Sequence, residues 1–246
     1  VSQNDNMGKC TCSACRAIEE EEGSPSGAVV RLANTVAAEV AKKYPDFLVD
    51  TLAYQYTRKP PKKTKPLDNV LIRLCSVDCD FTQPLNGPKN KSFMDDIEGW
   101  SKISKKMFVW DYTADFLDHM RVHPNIQVLG SNVKLFAKYG AAGLFEQGFD
   151  AGTQFTDFIG LRSWLIAHLL WNPALNSDAL TKRYMKGYYG KAWLPLYEYL
   201  NLIQSCVSKS GKLPGFGDPD LSGIDADSIN KAIKLFDKAE AMVKSS

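Results

Sequence analysis

The sequence predicts an α/β fold in which parallel strands alternate with helices, within the size range of a single α/β barrel. Short apolar runs recur between residues 47 and 147, and each ends on polar or acidic residues. Segments with apolar residues at helical spacing separate these runs, which is typical of parallel βαβ units. The 246-residue chain is 44% hydrophobic, which is enough for a sizeable core.

The clearest strand lies at residues 106–112, where an apolar run ends on Asp111. This run shows no polar alternation, so it predicts a strand that is buried on both faces. The same reasoning predicts strands at residues 47–56, 70–74 and 143–145. Residues 1–3 resemble the end of a further strand, followed by the polar tip Asn4-Asp5-Asn6. Because a domain rarely begins at a strand tip, we expect the N-terminus to be a truncation or processing point.

Helices are predicted between these strands and throughout the C-terminal part of the chain. The Ser24-Pro25-Ser26 sequence is a helix-start signal, and the helix that it begins ends near Tyr44-Pro45. A cysteine-rich loop at residues 10–15 and an acidic run at 19–22 precede it. The other predicted helices cover residues 93–104, 133–139, 158–170, 177–188, 193–207 and 228–243.

Composition excludes several classes of function. The net charge of +2 is close to balance, and the densest cationic run, residues 58–65, is broken by prolines and lacks interleaved aromatic residues. We therefore expect this run to be a solvated loop and expect no nucleic-acid partner. No apolar stretch reaches the ~18 residues of a membrane span, so no span is expected. No signal peptide is visible.

Carboxylates and aromatic residues follow several predicted strands. The carboxyl ends of parallel barrel strands converge on one face, so we expect these side chains to share a cleft. Paired carboxyl groups provide the acid and the nucleophile or base of glycoside cleavage, and aromatic rings stack on sugar rings. The predicted catalytic residues are Asp5, Asp111 and Glu146, and the predicted substrate-binding residues are Asn4, Asn6, Tyr54, Gln55, Trp110, Tyr112 and Gln147, with Phe149 nearby. The alternative for any one carboxylate is a helix cap or loop anchor.

The cysteines and histidines allow more than one interpretation. The spacing of Cys10, Cys12 and Cys15 resembles half of a zinc site, but no second pair follows at matched spacing. Cys75 and Cys79 are candidates to lie nearby in space. Metal, disulfide and free thiols are the alternatives, with free buried thiols as the default, so we expect neither a bound metal nor a cofactor. His119 and His123 follow the central strand and are candidates for ligand contact.

Several long motifs also carry a resemblance to a known family. These are VSQNDNMGKCTCSACRAIEEEEGSPSG, DTLAYQYTRKPP, VLIRLCSVDCDFTQPL, VWDYTADF, GLFEQG and LRSWLIAHLLWNP. Together they resemble a domain family of unknown function that is associated with carbohydrate degradation and is similar to α-glucuronidase-type glycoside hydrolases. The resemblance covers about residues 1 to 200.

The resemblance implies a (β/α)8 TIM-type barrel in a periplasmic or extracellular protein. It also implies that this chain holds the second half of the barrel, strands four to eight, at residues 1–172, with a helical segment at 173–246. In the favoured hypothesis Glu146 or Asp5 is the general acid and Asp111 is the base or nucleophile. The alternatives are a non-catalytic carbohydrate-binding barrel and a structural fragment that pairs with a second copy or with its missing N-terminal half.

Overall fold

The computed structural model describes residues 1–117, 121–148 and 157–244, and these form two compact units. Unit 1 consists of Val1–Asp78, Asn90–Tyr112 and Phe136–Gln147, and unit 2 consists of Cys79–Lys89, Thr113–Leu135 and Gly148–Ser246. Phe149 and His119, two of the predicted ligand contacts, lie outside the described residues.

Unit 1 contains a parallel sheet of four strands in sequence order. The strands are β1 (Val49–Ala53), β2 (Val70–Cys75), β3 (Met107–Tyr112) and β4 (Ala141–Gln147). Every neighbouring pair is parallel, as the alternation of strands and helices predicts. The mixed α/β class and the parallel sheet are therefore confirmed, and the strands lie within the predicted segments or extend them by a few residues.

Two features of the sheet differ from prediction. Residues 1–3 are not part of a strand. The central strand β3 is not buried on both faces, because buried residues alternate with partly exposed ones along it. Met107, Val109 and Asp111 lie on the buried face, whereas Phe108, Trp110 and Tyr112 lie on the partly open face. The apolar run hid this alternation because large aromatic residues occupy the open face.

Three helices of unit 1 accompany the sheet. They are α1 (Ser13–Glu22), α2 (Ser26–Ala41) and α3 (Lys91–Ile103). Helix α2 packs on β1, and its buried residues Val30, Ala33 and Ala37 follow helical spacing. Gly23, in the left-handed conformation at φ 66°, ends α1 by donating its N–H to the Glu19 carbonyl at 2.7 Å.

Helix α1 replaces the loop that was predicted for much of the cysteine-rich segment. Its last residue, Glu22, has 0% exposure and accepts hydrogen bonds from the backbone N–H groups of Lys63 and Thr64, at 2.9 and 3.0 Å. Arg31 pairs with the same carboxylate at 2.5 Å. Burial alone would raise the pKa of Glu22, but the hydrogen bonds from Thr64, Lys63 and Arg31 lower it to about 2. The proline-rich segment after Arg58 is thus anchored by a buried charge rather than simply solvated.

Unit 2 is predominantly helical. Its helices are most of α4 (Ile126–Lys138), with α5 (Ile159–Trp171), α6 (Ser177–Tyr189), α7 (Trp193–Ser210) and α8 (Ala226–Lys244). Arg162 of α5 is 1% exposed and donates to the carbonyls of Thr113 and His123 at 3.2 and 3.1 Å. Within the described ranges, no helix combines the length and hydropathy that a bilayer span requires.

Candidate functional site

A cavity of about 320 Å³ lies in unit 1 at the carboxyl edge of the sheet, on its partly open face. This volume is at the lower end of the range of about 300–1,000 Å³ for small-ligand sites. Strand ends and the N-terminal segment build its wall together. The lining residues are Ser2, Gln3, Asn4, Asp5, Leu52, Tyr54, Cys75, Trp110, Tyr112 and Gln147.

Trp110 and Tyr112 form an aromatic platform in the cavity. They are two residues apart on β3, so they point to the same face, and their rings are nearly parallel at 15° with centroids 6.4 Å apart. Phe145 packs edge-on against Trp110 at 5.1 Å, and the Arg73 guanidinium lies 5.8 Å from the centre of its ring. The Trp110 indole N–H donates to Gln147 Oε1 at 2.5 Å. Contacts on several sides therefore fix the orientation of Trp110.

Asp5 and Tyr54 form the polar wall of the cavity. The Tyr54 hydroxyl hydrogen-bonds to the Asp5 carboxylate, and Gln55 Nε2 donates to the same hydroxyl at 3.0 Å. Burial, together with the charge and hydrogen bond of Asp5, raises the pKa of Tyr54 to about 12. Burial also raises the pKa of the Tyr112 hydroxyl. Both tyrosines therefore keep their protons at neutral pH, and the Tyr54 proton is donated to the Asp5 carboxylate.

Gln55 has the left-handed backbone conformation, with φ at 49°. A non-glycine residue in this region costs about 1–2 kcal/mol and persists only where its surroundings hold it. Here the turn Gln55–Thr57 holds the backbone, and the Gln55 side chain supports the Tyr54 hydroxyl. Gln55 was predicted to bind substrate, but it does not line the cavity. It acts instead on a residue that does.

Gln3 attaches the N-terminal segment to this turn. Its Nε2 donates to the Tyr54 carbonyl at 2.8 Å, and its Oε1 accepts from the Thr57 hydroxyl. Asn4 and Asp5 follow directly and line the cavity. Asn6 was predicted to bind substrate but does not line the cavity, because its Oδ1 accepts the Gly8 N–H at 2.8 Å in a local turn.

The charge of the cavity is negative. Among the described residues that line it, Asp5 is the one carboxylate, and no lysine or arginine is present. Burial raises the pKa of the Cys75 thiol to about 12, so this lining residue stays protonated. The lining therefore offers hydrogen-bond donors and acceptors, two ring faces and one negative charge.

Asp111 and Glu146, two of the predicted catalytic residues, do not line this cavity. They are register partners on β3 and β4, and the alternation of the strand places them on the face opposite Trp110 and Gln147. Asp111 is 1% exposed and accepts a hydrogen bond from the Ser76 hydroxyl. The expectation that Asp5, Asp111 and Glu146 share one cleft is corrected, because adjacent residues of a strand face opposite sides.

The Asp111 and Glu146 carboxyl groups form a buried pair. Burial raises the pKa of Asp111 to about 6, despite the hydrogen bond from Ser76. Burial, then the charge of Asp111, raises the pKa of Glu146 well above its ordinary value. One oxygen of each group, Asp111 Oδ2 and Glu146 Oε1, is buried without a conventional donor among the described residues. The two side chains hydrogen-bond to each other, which requires a proton on one of the two carboxyl groups.

The sequence profile of one family, described as a domain of unknown function (DUF4838), matches residues 1–201. The chain belongs to the DUF4838 family. No curated protein and no solved structure matches the chain. Every cavity residue falls within the DUF4838 match, and the match ends inside α7. The cavity is therefore a feature of the DUF4838 part of the chain.

The DUF4838 region also holds five of the six cysteines, all but Cys206, and His123. The Sγ atoms of Cys10, Cys12 and Cys15 all lie within 4.8 Å of one another. Cys75 and Cys79, the candidates to lie near this cluster, are not part of it. Cys75 lines the cavity, and Cys79 belongs to unit 2. His123 is 2% exposed, so it is not available for the predicted ligand contact.

Sequence reasoning missed four lining residues of the DUF4838 cavity. Cys75 is the register partner of Trp110, and Leu52 lies two residues before Tyr54 on the same face. Strand alternation could have found both of them. Ser2 and Gln3 were predicted to belong to a strand. Their position in the cavity wall depends on the contacts of Gln3 with Tyr54 and Thr57, which no local sequence pattern indicates.

Proposed function

We propose that this protein binds a neutral sugar unit of a polysaccharide in the cavity at the carboxyl edge of the sheet. The observation that carries the proposal is the Trp110–Tyr112 platform facing the Asp5–Tyr54 wall in one cavity. Of the functions predicted from sequence, this corresponds most closely to the carbohydrate-binding alternative.

The platform supplies the apolar part of sugar recognition. A sugar ring has one face of C–H groups, which packs on an aromatic ring as other apolar surfaces do. Trp110 is half-buried, and its position is fixed by Gln147, Phe145 and Arg73. A ring held in this way loses little conformational freedom on binding, which favours affinity. Tyr112 extends the same surface sideways.

The wall supplies the polar part. Sugar hydroxyl groups both donate and accept, so a sugar site needs partners of both kinds. Asp5 accepts from a hydroxyl, and the Asn4 amide both donates and accepts. Hydrogen bonds to a charged carboxylate are among the stronger neutral-ligand contacts, at about 1.5–3 kcal/mol.

The charge of the lining selects against acidic sugars. A uronic acid would bring its carboxylate towards Asp5, and Arg73, which lies beside Trp110, already pairs with Asp50. The resemblance to α-glucuronidase-type enzymes stays a prediction, and the cavity itself favours an uncharged sugar.

Binding can be tested by calorimetry with neutral and uronic-acid oligosaccharides. Trp110→Ala should weaken binding of a neutral ligand by at least about tenfold, equivalent to ~1.4 kcal/mol. Trp171→Ala is the matched control, because Trp171 is 89% exposed in unit 2 and lies outside the cavity. Affinity for neutral oligosaccharides that survives Trp110→Ala would refute the site. Preference for the acidic ligand would refute the charge argument.

Glycoside hydrolysis stays a prediction with a separate test. It needs a second carboxyl group near the sugar, and Asp111 and Glu146 face away from the cavity. If hydrolysis is observed, Asp5→Asn should abolish it, since Asp5 is the carboxylate in the described lining. Loss of activity in Glu146→Gln at unchanged sugar affinity would instead support the predicted acid.

The remaining sequence predictions are kept as part of the proposal. We propose that the four-stranded sheet belongs to a (β/α)8 barrel and that the protein acts outside the cytoplasm on polysaccharide. Association with a second copy or with a further barrel segment stays a prediction. Size-exclusion chromatography with light scattering would detect a second copy.

A further inference from the structure

We propose that Cys10, Cys12 and Cys15 bind one divalent zinc ion through three thiolates. The three side chains converge although they come from a short loop and the first turn of α1, and their Sγ atoms all lie within 4.8 Å of one another. Among the described residues, they are the one group of three or more metal-ligating side chains arranged in this way.

The distances suit zinc. A tetrahedral Zn²⁺ site with Zn–S bonds of about 2.3 Å places its sulfur atoms about 3.8 Å apart. Cys10 Sγ and Cys12 Sγ are 3.5 Å apart, and the remaining pairs stay below 4.8 Å. Small side-chain rotations therefore suffice to place all three sulfur atoms around one ion. Soft thiolate ligands select zinc over calcium or magnesium.

The position of Cys12 on the helix favours a thiolate. Cys12 is the N-cap residue of α1, where the partial positive charge of the helix stabilises an anion. Binding converts three thiols to thiolates and releases three protons, so the zinc–thiolate unit carries one net negative charge. Lys9 and Arg16 line a surface depression with Cys10, but Glu19 and Glu20 line it too and Lys9 pairs with Glu19 at 2.5 Å, so the proposal depends on the sulfur geometry and not on nearby charge.

A disulfide accounts for the cluster less well. Any bond between two of the three cysteines leaves the third as an odd thiol. Cys75 cannot complete a second pair readily, since it is 2% exposed and lines the sugar cavity. A metal ion uses all three sulfur atoms. No fourth metal-ligating side chain joins the group among the described residues, so the fourth position is open to water or a small ligand.

Cobalt titration of the reduced, metal-free protein tests the proposal. Co²⁺ bound by thiolates gives an intense sulfur-to-metal charge-transfer band, which should saturate at one equivalent per chain and disappear when Zn²⁺ is added. Three protons should be released for each ion bound. Zinc should also protect Cys10, Cys12 and Cys15 together from alkylation.

A triple Cys→Ser variant at positions 10, 12 and 15 should lose the band. Cys206→Ser is the matched control and should keep it, because Cys206 lies in unit 2 and outside the cluster. If the triple variant fails to fold, alkylation mapping of the wild-type protein gives the same answer. Two results of the cobalt titration would overturn the proposal: no charge-transfer band in protein whose thiols are all reduced, or a band that survives in the triple variant. A peptide mass lower by two hydrogens, which would locate a disulfide within the cluster, would also overturn it.

Discussion

Replacing Asp111 with asparagine tests whether the buried carboxyl pair shares a proton. Burial raises the pKa of Asp111 from 3.8 to about 6, so between these values the folded protein holds a proton that the unfolded chain has lost. The contribution of this group to the free energy of unfolding therefore falls as the pH rises through that window. Asparagine removes the buried charge, and its oxygen can still accept from the Ser76 hydroxyl and from the protonated Glu146 carboxyl group.

The expected effect follows from the shift. A change of about two pKa units corresponds to ~3 kcal/mol, as an upper bound for this coupled pair. Asp111→Asn should raise the free energy of unfolding by up to about 3 kcal/mol near pH 8 and by little near pH 4. For a protein of this size, the melting temperature near pH 8 should rise by up to about 6–12 °C.

Urea unfolding at a series of pH values from about 4 to 8 gives the difference curve between variant and wild type. Asp95→Asn is the control, because Asp95 is exposed and pairs with Lys91 at 2.6 Å, a contact worth less than about 1 kcal/mol. A variant that is less stable than wild type near pH 8 would mean that the folded protein stabilises the Asp111 carboxylate, contrary to its raised pKa. A difference that does not change with pH would also refute the shared proton.

Three further predictions concern other buried groups. Glu22→Gln should lower the free energy of unfolding by about 2–3 kcal/mol at neutral pH, because it removes a buried, hydrogen-bonded carboxylate. The control Glu20→Gln, at an exposed position, should change the free energy of unfolding little. Because the folded pKa of Glu22 is about 2, the difference between the Glu22 variant and wild type should narrow as the pH falls below 4.5. Burial, with the charge of a nearby arginine, lowers the pKa of His123 to about 3, so His123→Phe should reduce the loss of free energy of unfolding as the pH falls below 6.5. The same decrease of melting temperature with falling pH in variant and wild type would contradict this. Arg58→Met should cost about 3–5 kcal/mol by leaving Asp96, 2.7 Å away, without its cation, and Asp96→Asn should recover part of that loss in a double-mutant cycle.

Much of the fold could be predicted from the sequence because local patterns determine it. The strand at residues 70–74 was predicted within one residue of β2. Helix α1 was missed because the cysteine spacing was interpreted as a loop, although Ala14, Ala17 and Ile18 lie at helical spacing and Ala and Glu make up six of its ten residues. The helix is instead held by Gly23 and by the buried contacts of Glu22, which involve residues about forty positions away.

The candidate site was predictable only in part. Trp110, Tyr112 and Tyr54 line one cavity, because parallel strands end at the same edge, and their role in substrate binding stays a prediction. Asp111 was assigned to the same cleft on the basis of its position along the strand, without regard to its face. Alternation alone separates it from Trp110, and this information was already in the sequence. The attachment of Asp5 through Gln3 depends on tertiary contacts and required the structure.

Alternation along β3 also separates two physical roles. Trp110 and Tyr112 present their rings to the cavity, so substituting them should change sugar affinity more than the pH dependence of stability. Asp111, between them, is buried against Ser76 and Glu146, so substituting it should change the pH dependence of stability and leave affinity almost unaltered. If Asp111→Asn and Trp110→Ala both reduced sugar affinity to the same extent, the two faces would be coupled, and the assignment of the cavity to one face of the sheet would be wrong.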